Sequence, residues 1–290
     1  MKVKGYLIYN KNDYEKNKWF VNELVKEANK VNISLSTVFA QDISLGFNGE
    51  EFEVIHSGNV LDKPDIVINR TRSSLIGRHF ELMGAKVLNS SDVTEICNNK
   101  AKTHQEINSL GIKSVKMLVW SKDDDTKLIK DMNYPFIVKS LSGHGGAEVY
   151  KIDSIEDFNR CINNMKEETM LIQEMCMTPG VDIRVFVIGG KVIGSVKRYS
   201  SKSFKSNFSL GGNSSCYELN DEEYKIVNKI LKRFKLDFAG IDFIIGNNNE
   251  LLFNEIEDVV GCRTLYKNYD INVANEYINH IYSYIKNIED

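Results

Sequence analysis

The chain has 290 residues, and its 37 Lys and Arg against 40 Asp and Glu leave a formal net charge of −3. That near balance excludes the basic excess of an electrostatic nucleic-acid binder, and 42% hydrophobic with 27% charged residues excludes wholesale disorder. At roughly 150 residues per domain the length predicts about two domains, and no apolar run nears the roughly 18 to 20 residues of a membrane span.

In chain order, KGYLIY at 4–9 predicts a strand, too short in its apolar part for a signal peptide. From Glu15 to Lys30, Trp19, Phe20, Leu24, Val25 and Ala28 recur at helical spacing. ISLSTVF at 33–39, DIVINR at 65–70 and KVLN at 86–89 predict further strands, so residues 1–92 read as a small doubly wound α/β domain. Ser90–Leu110 is expected to be one helix. Beyond it, VKMLVW at 115–120 and PFIVKS at 135–140 predict strands, DDDT at 123–126 caps a helical piece, and Ser154 N-caps a helix with an acidic first turn. MLIQEM is a strand, and DIRVFVIGGKVIGSVKRYS is a hairpin turning at Gly189-Gly190. A polar loop over 200–216, a helix at 220–235, a hairpin at 237–258 and a helix at 271–287 complete a second domain, 93–290. The cysteines Cys97, Cys161, Cys176, Cys216 and Cys262 form no CxxC pair, which fits a reducing cytoplasm better than a disulfide framework or a zinc site.

Two stretches carry chemistry. In FAGIDFIIGNNNELLFNEIED, GNNN is a turn between apolar runs. Pairing Ile245 with Glu250 sets Asp242 opposite Phe253, and alternation then places Asp242, Glu255 and Glu257 on one face. Three such carboxylates need a proton, an Arg or Lys, or a hard cation to offset their repulsion. An all-oxygen set favours Mg²⁺ or Mn²⁺. The plainer reading is a hairpin whose acids face water, since a one-residue slip disperses them. In PFIVKSLSGHGGAEVY, Lys139 ends an apolar strand beside Ser142, Gly143, His144, Gly145 and Gly146. Glycines let backbone N–H groups surround phosphate oxygens and the lysine adds charge; the alternative is an ordinary turn, with His144 a solvated side chain. In the 182–199 hairpin Asp182 and Arg184 share a face; pairing across Gly189-Gly190 sets Asp182 opposite Lys197, Arg184 opposite Ser195, and Arg198 on the other face.

Taken in order, the Lys100 helix, PFIVKSLSGHGGAEV, MLIQEM, DIRVFVIGGKVIGSVKR, FKSNFSLGG, FAGIDFI and LLFNEIED resemble the ATP-grasp superfamily, most closely its RimK-type amino-acid ligases. The resemblance spans about residues 65–275. It implies an ATP-grasp fold, α/β and α+β, over 93–290 with a lid at about 125–175, preceded by the small doubly wound domain. It further implies an ATP- and Mg²⁺-dependent ligase that joins a carboxylate to an amine through an acyl phosphate. By the same resemblance Lys100 and Lys139 contact phosphates, and Ser142 to Gly146 form the flap. Glu174 and the Met175 backbone hold adenine, and Asp182 holds the ribose. Asp242, Glu255 and Glu257 hold Mg²⁺ or Mn²⁺, with Arg184, Asn207 and Arg263 acting near the γ-phosphate or acyl group. Substrate carboxylate binders are expected among Arg70, Arg72, Arg198, Lys205 and Arg263, because Arg recognises carboxylates in bidentate fashion; Arg72 and Lys205 read more simply as surface cations.

The chain departs from the family pattern at three places. Glu257 stands where RimK-type enzymes usually carry Asn, Leu210 where a basic residue is usual, and Glu148 where a small one is. These departures leave open which acid and amine are joined. The implied partner is an amino acid or small peptide, without nucleic acid or membrane, and a homo-oligomer stays open. Alternatives are an ATP-grasp small-molecule kinase and a nucleotide-binding regulator without turnover.

Overall fold

The computed structural model describes residues 3–129, 132–146, 148–176, 178–200 and 212–289. The first apolar run, β1 (Val3–Tyr9), is followed by α1 (Lys11–Lys30), which begins four residues earlier than its apolar spacing suggests, and by β2 (Ile33–Phe39). A meander that its short polar-rich runs did not announce comes next, β3 (Ile43–Phe47), β4 (Phe52–His56) and β5 (Asn59–Val60). Then follow β6 (Ile66–Asn69), α2 (Ser74–Leu82), N-capped by Ser73, and β7 (Lys86–Leu88). The strands β2-β1-β6-β7 form a parallel sheet in that order. Chain order therefore reverses between β1 and β6, and the carboxyl ends of those two strands flank a crevice of the kind in which open α/β sheets bind ligands.

The single helix expected over Ser90–Leu110 is two, α3 (Ser91–Cys97) and α4 (Lys100–Ser109). Asparagine side chains break it by competing for backbone groups. Asn98 Nδ2 donates to the Thr94 carbonyl at 2.8 Å, and Asn99 Oδ1 caps α4 by accepting from the Lys102 N–H at 3.1 Å. Lys100 thereby occupies the first position of α4.

Four antiparallel strands, β8 (Met117–Ser121), β9 (Phe136–Ser140), β10 (Val149–Ile152) and, after α5 (Ile155–Asn164), β11 (Thr169–Glu174), form a sheet ordered β10-β9-β11-β8. One face packs on α5 through Trp120, Phe136, Val138, Phe158, Met170 and Ile172, a core of its own. Ser154 caps α5 by accepting from the Asp157 N–H at 3.2 Å, as its sequence predicts.

The third sheet holds β12 (Val181–Ile188), β13 (Lys191–Tyr199), β14 (Asn213–Cys216) and, after α6 (Asp221–Arg233), β15 (Phe238–Ile245) and β16 (Leu251–Glu257), ordered β14-β13-β12-β15-β16. The chain ends on α7 (Arg263–Asn268), which no sequence signal marked, and α8 (Val273–Glu289). Alternation along β12 explains its role. Ile183, Val185 and Val187 pack with Ile107, Val227 and Ile230 of α4 and α6. On the opposite face, Phe186 and Ile188 join Phe20 and Leu24 of α1 and Tyr277 and Ile278 of α8. Asp182 and Arg184 continue that second face beyond its apolar end. Among the described residues no helix is long and apolar enough to cross a membrane.

Candidate active site

Both hairpins differ in register from the sequence expectation, and the differences build the site. In β15–β16 the turn is one residue longer than its sequence suggests: Ile245 pairs with Leu251, not Glu250. That slip alone would carry the acids to the far face. A bulge corrects it. Phe243 pairs with Phe253 and Asp242 with Glu255, which leaves Asn254 as the extra residue. Asp242 therefore lies opposite Glu255 rather than Phe253, and ligand oxygens of Asp242, Glu255 and Glu257 all fall within 4.8 Å of one another. The freed Asn254 turns its Oδ1 to accept from Lys139 Nζ at 2.9 Å.

The β12–β13 hairpin also carries a bulge. Phe186 pairs with Gly194 and Val187 with Val192, so Ile193 is extra, Asp182 pairs with Arg198 and Arg184 with Val196. The expected pairings with Lys197 and Ser195 are thus corrected by one residue. Arg198, expected on the other face, lies on that of Asp182. Its Nε and Nη2 donate to Asp182 Oδ1 and Oδ2 at 2.6 and 2.7 Å, and Nη2 also reaches Asp242 Oδ2 at 2.8 Å. Arg184 forks onto Asp242 with two 2.6 Å bonds and reaches Glu257 Oε2 at 2.9 Å. Gly240 makes this crossing possible, since a Cβ there would lie 3.3 Å from the Arg184 Cδ and Nε and 2.7 Å from Val260 Cγ2.

Charge is therefore shared unevenly among the three acids. Burial would raise the Asp242 carboxyl, but the Arg184 and Arg198 guanidinium groups outweigh it and hold it below the ordinary carboxylate range. Glu255 has no such fork. Burial pushes its carboxyl up, the nearby Glu257 and Asp242 add to the rise, and Lys100, 3.8 Å away, opposes it. Glu255 and Glu257 keep lone pairs that no arginine occupies, and Asp242 Oδ1 keeps one beyond its bond to Arg184. An all-oxygen set with spare lone pairs and a carboxylate only partly compensated by lysine fits a hard divalent cation.

Two cavities meet at these acids. One is lined by Ile137, Val149, Met175, Val181 and Ile244, an apolar slot with Glu174, Asp182, Lys100, Lys139, Asn254 and Glu255 around it. Gly143, His144, Gly145 and Gly146 form its roof, with Gly145 and Gly146 at positive φ. Ser142 is not in that lining. Its hydroxyl donates to Glu167 Oε1 at 2.5 Å, and the Leu141 N–H donates to Glu167 Oε2 at 2.8 Å, so Glu167 anchors the loop. No sequence signal singled out Glu167. Lys100 Nζ donates to the Gly143 carbonyl. Burial lowers Lys139 to about 8, with the Lys100 charge adding to the drop and Glu255 opposing it. Beneath the lysines, His104 is fully buried against Phe253, and burial plus the Lys139 charge lower it to about 4, so it is neutral. Gln173, buried in the slot wall with its Nε2 unpartnered, also went unread in the sequence, where it is one polar residue in a strand.

The other cavity is lined by Arg70, Arg72, Arg184, Arg198 and Arg263, with Glu257 and Gly145. Arg72 thus faces a cavity, not open surface, with Asp13 at 3.7 Å. Arg263 opens α7 and donates to the Lys16 carbonyl. Asn207, Lys205 and Leu210 lie outside the described residues.

Residues 97–281 match the model of the RimK-like ATP-grasp domain. A probable alpha-L-glutamate ligase of Legionella pneumophila is 32% identical over 229 residues, 75% of this chain and 76% of its own length. The alpha-aminoadipate–LysW ligase LysX of Sulfurisphaera tokodaii is 25% identical over 284 residues, 94% of this chain and 98% of its own. The crystal structure of a RimK domain ATP-grasp protein from Sphaerobacter thermophilus superposes with a TM-score of 0.75 at 12% identity, covering 96% of this chain and 99% of that one, which shows a common fold.

Proposed function

The chain belongs to the RimK-like ATP-grasp family, and on that premise we propose that it forms an amide between a substrate carboxylate and an amine by way of an acyl phosphate. It is an ATP-dependent carbon–nitrogen ligase with the ATP-grasp fold. The observation that carries the mechanism is the position of the acids. Glu255 faces the apolar slot, Glu257 faces the arginine-lined cavity, and Asp242 lies within 4.8 Å of both. A phosphoryl group passing from one cavity to the other must pass this wall.

In this reading Ile137, Val149, Val181, Ile244 and Met175 sandwich the base, with Glu174 and Gln173 at its polar edge and Asp182 toward the ribose. Lys100 and Lys139 hold the phosphates under the Gly143–Gly146 roof. Asp242, Glu255 and Glu257 hold Mg²⁺, which when bound supplies a Lewis acid that neutralises phosphate charge. Arg184, already fixed by Asp242 and Glu257, presents its guanidinium to the reacting carboxylate from the other cavity, joined by Arg263. The carboxylate attacks the terminal phosphoryl group, ADP leaves, and the amine then displaces phosphate to form the amide. No covalent nucleophile on the protein is needed, only positioning and charge neutralisation. Gly145, which lines both cavities, places the loop where its closure excludes water from the acyl phosphate. The substrate class most in keeping with an arginine-lined cavity is an amino acid or short peptide presenting its carboxylate.

Incubation with ATP, Mg²⁺ and a panel of amino acids and dipeptides is expected to release ADP and phosphate together with a new amide mass. A phosphorylated product without amide, or tight ATP binding without turnover on any member, would overturn the proposal.

The lysine assignment has its own test. Lys139→Met is expected to weaken ATP binding by about 1–3 kcal/mol. Because Lys139 loses its proton near pH 8 in the free protein, and bound phosphate favours the ammonium, ATP binding is expected to take up a proton above that pH. Affinity should then fall with rising pH, by up to about tenfold per unit. Calorimetry in two buffers of different ionisation enthalpy at about pH 9 should detect the proton in the wild type and not in Lys139→Met.

A further inference from the structure

Within the arginine-lined cavity, two guanidinium groups have no acidic ion-pair partner among the described residues: Arg263, which is exposed and donates to the Lys16 carbonyl, and Arg70, which is buried. Arg184 lies on Asp242 and Glu257, Arg198 on Asp182 and Asp242, and Arg72 near Asp13. Arg70 is 6% exposed, yet its described partners are the Val260 carbonyl, which accepts from Nη2 at 2.6 Å, and the face of Phe238, whose centroid is 5.6 Å from its Cζ. Its Nε has no hydrogen-bond partner. The nearby Asp258 feels the Arg70 charge but is committed to Asn98 Nδ2 at 2.9 Å. Tyr9, 1% exposed, lies beside Arg70 and helps to hold its guanidinium in the charged form, yet its buried hydroxyl makes no hydrogen bond of full geometry. Both residues line the cavity.

Their place in the fold is a second, independent pointer. Tyr9 ends β1, and Arg70 directly follows β6, its N–H donating to the Ile8 carbonyl at 2.8 Å. These are the carboxyl ends of the two strands between which the order of the parallel sheet reverses, the place where such sheets bind ligands. An Asx turn fixes the arginine there. Asn69 Oδ1 accepts from the Thr71 N–H at 3.1 Å and from the Thr71 hydroxyl at 2.7 Å. A guanidinium cannot shed its charge, so burying one without a counter-ion is costly until an anion arrives.

We propose that Arg70 and the Tyr9 hydroxyl form a recessed seat for a carboxylate that does not react, carried by the substrate of this cavity. The proposal rests on the ligase reading above. One planar guanidinium edge and one hydroxyl match the two oxygens of a carboxylate, while the phosphate-binding lysines line the other cavity. The carboxylate belongs either to the acid that is activated, making it a dicarboxylate, or to the amine that attacks, making it an amino acid.

Binding to the full chain, with Mg²⁺ and a non-hydrolysable ATP analogue present, separates these sources. Glutarate is compared with its monoamide for the donor, and alanine with alaninamide for the acceptor. In at least one pair the acid should bind about tenfold or more tightly than its amide, the scale of a charge-assisted hydrogen bond. Tyr9→Phe and Arg70→Lys should reduce that preference to about twofold or less. Tyr9→Phe removes a hydroxyl with no hydrogen bond of full geometry, so its melting temperature should stay near that of the wild type, which keeps the test open if Arg70→Lys folds poorly. The seat is overturned if neither acid outbinds its amide, or if the preference survives in Tyr9→Phe. Amide formation without any such preference sinks the seat alone; a preference without amide formation sinks the ligase reading and leaves the seat.

Discussion

Glu255→Gln is expected to cut ADP release by about a hundredfold or more, the scale of losing a metal-held contact to the transferring phosphoryl group, while leaving the metal-free fold as stable as the wild type or more so. The two halves of that expectation have one cause. Burial raises the Glu255 carboxyl, and Glu257 and Asp242 beside it add to the rise. An acid with a raised folded-state value is an ionised group that the fold tolerates at a cost. As pH rises from the unfolded value through the raised one, the wild type loses stability that a neutral amide does not lose. In EDTA the variant's melting temperature should therefore equal or exceed the wild type's at neutral pH, and the two should converge below about pH 4, where both side chains are neutral. Calorimetry across pH, paired with the ADP assay, reads both halves. A fully active variant would remove Glu255 from the cation site; an inactive variant that also melts well below the wild type would make the residue structural.

The opposite signature is expected at Arg198. Its guanidinium, 4% exposed, is forked onto Asp182 and bonded to Asp242. Arg198→Met leaves the Asp182 carboxylate buried without its fork, and breaking such a pair from one side costs about 3–5 kcal/mol. Replacing both partners removes the stranded charge, so Asp182→Leu/Arg198→Met is expected to recover most of that loss. Urea unfolding of the three proteins measures it directly. Equal stability of the single variant and the wild type would mean the pair is solvated and contributes little, as exposed pairs do. The double variant should still lose nucleotide affinity if Asp182 faces the ribose, which separates the stability of the pair from its use.

Part of this architecture was legible because it depends on local signals. Period-two and helical spacing, the Gly189-Gly190 turn, the Ser154 cap and the apolar run before Lys139 each act within a few residues, and the corresponding strands and helices lie where those patterns place them. The break at Asn98-Asn99 was written locally too, in two side chains able to cap, but helical periodicity on either side concealed it. The meander over 43–60 and α7 carry weak patterns and are held by packing, as Leu265 is in the core beneath β13.

The acid trio was legible as composition and illegible as register. Pairing by turn length brought Asp242, Glu255 and Glu257 to one face by an alignment the structure does not use. The slip at Ile245 and the extra residue Asn254 cancel, and the same three side chains converge. Nothing local to either strand specifies a bulge. It is fixed by what it brings together, here Asn254 with Lys139 across 115 positions of sequence. The Ile193 bulge likewise turns Arg198 onto Asp182. Sequence by itself determined most of the elements, the family and the chemical kinds of residue at the site, because those follow from short-range pattern and side-chain type. Only the tertiary structure decided which charges neutralise one another and that Arg70 is left without an acid, because burial and electrostatics depend on distances between residues far apart in the chain.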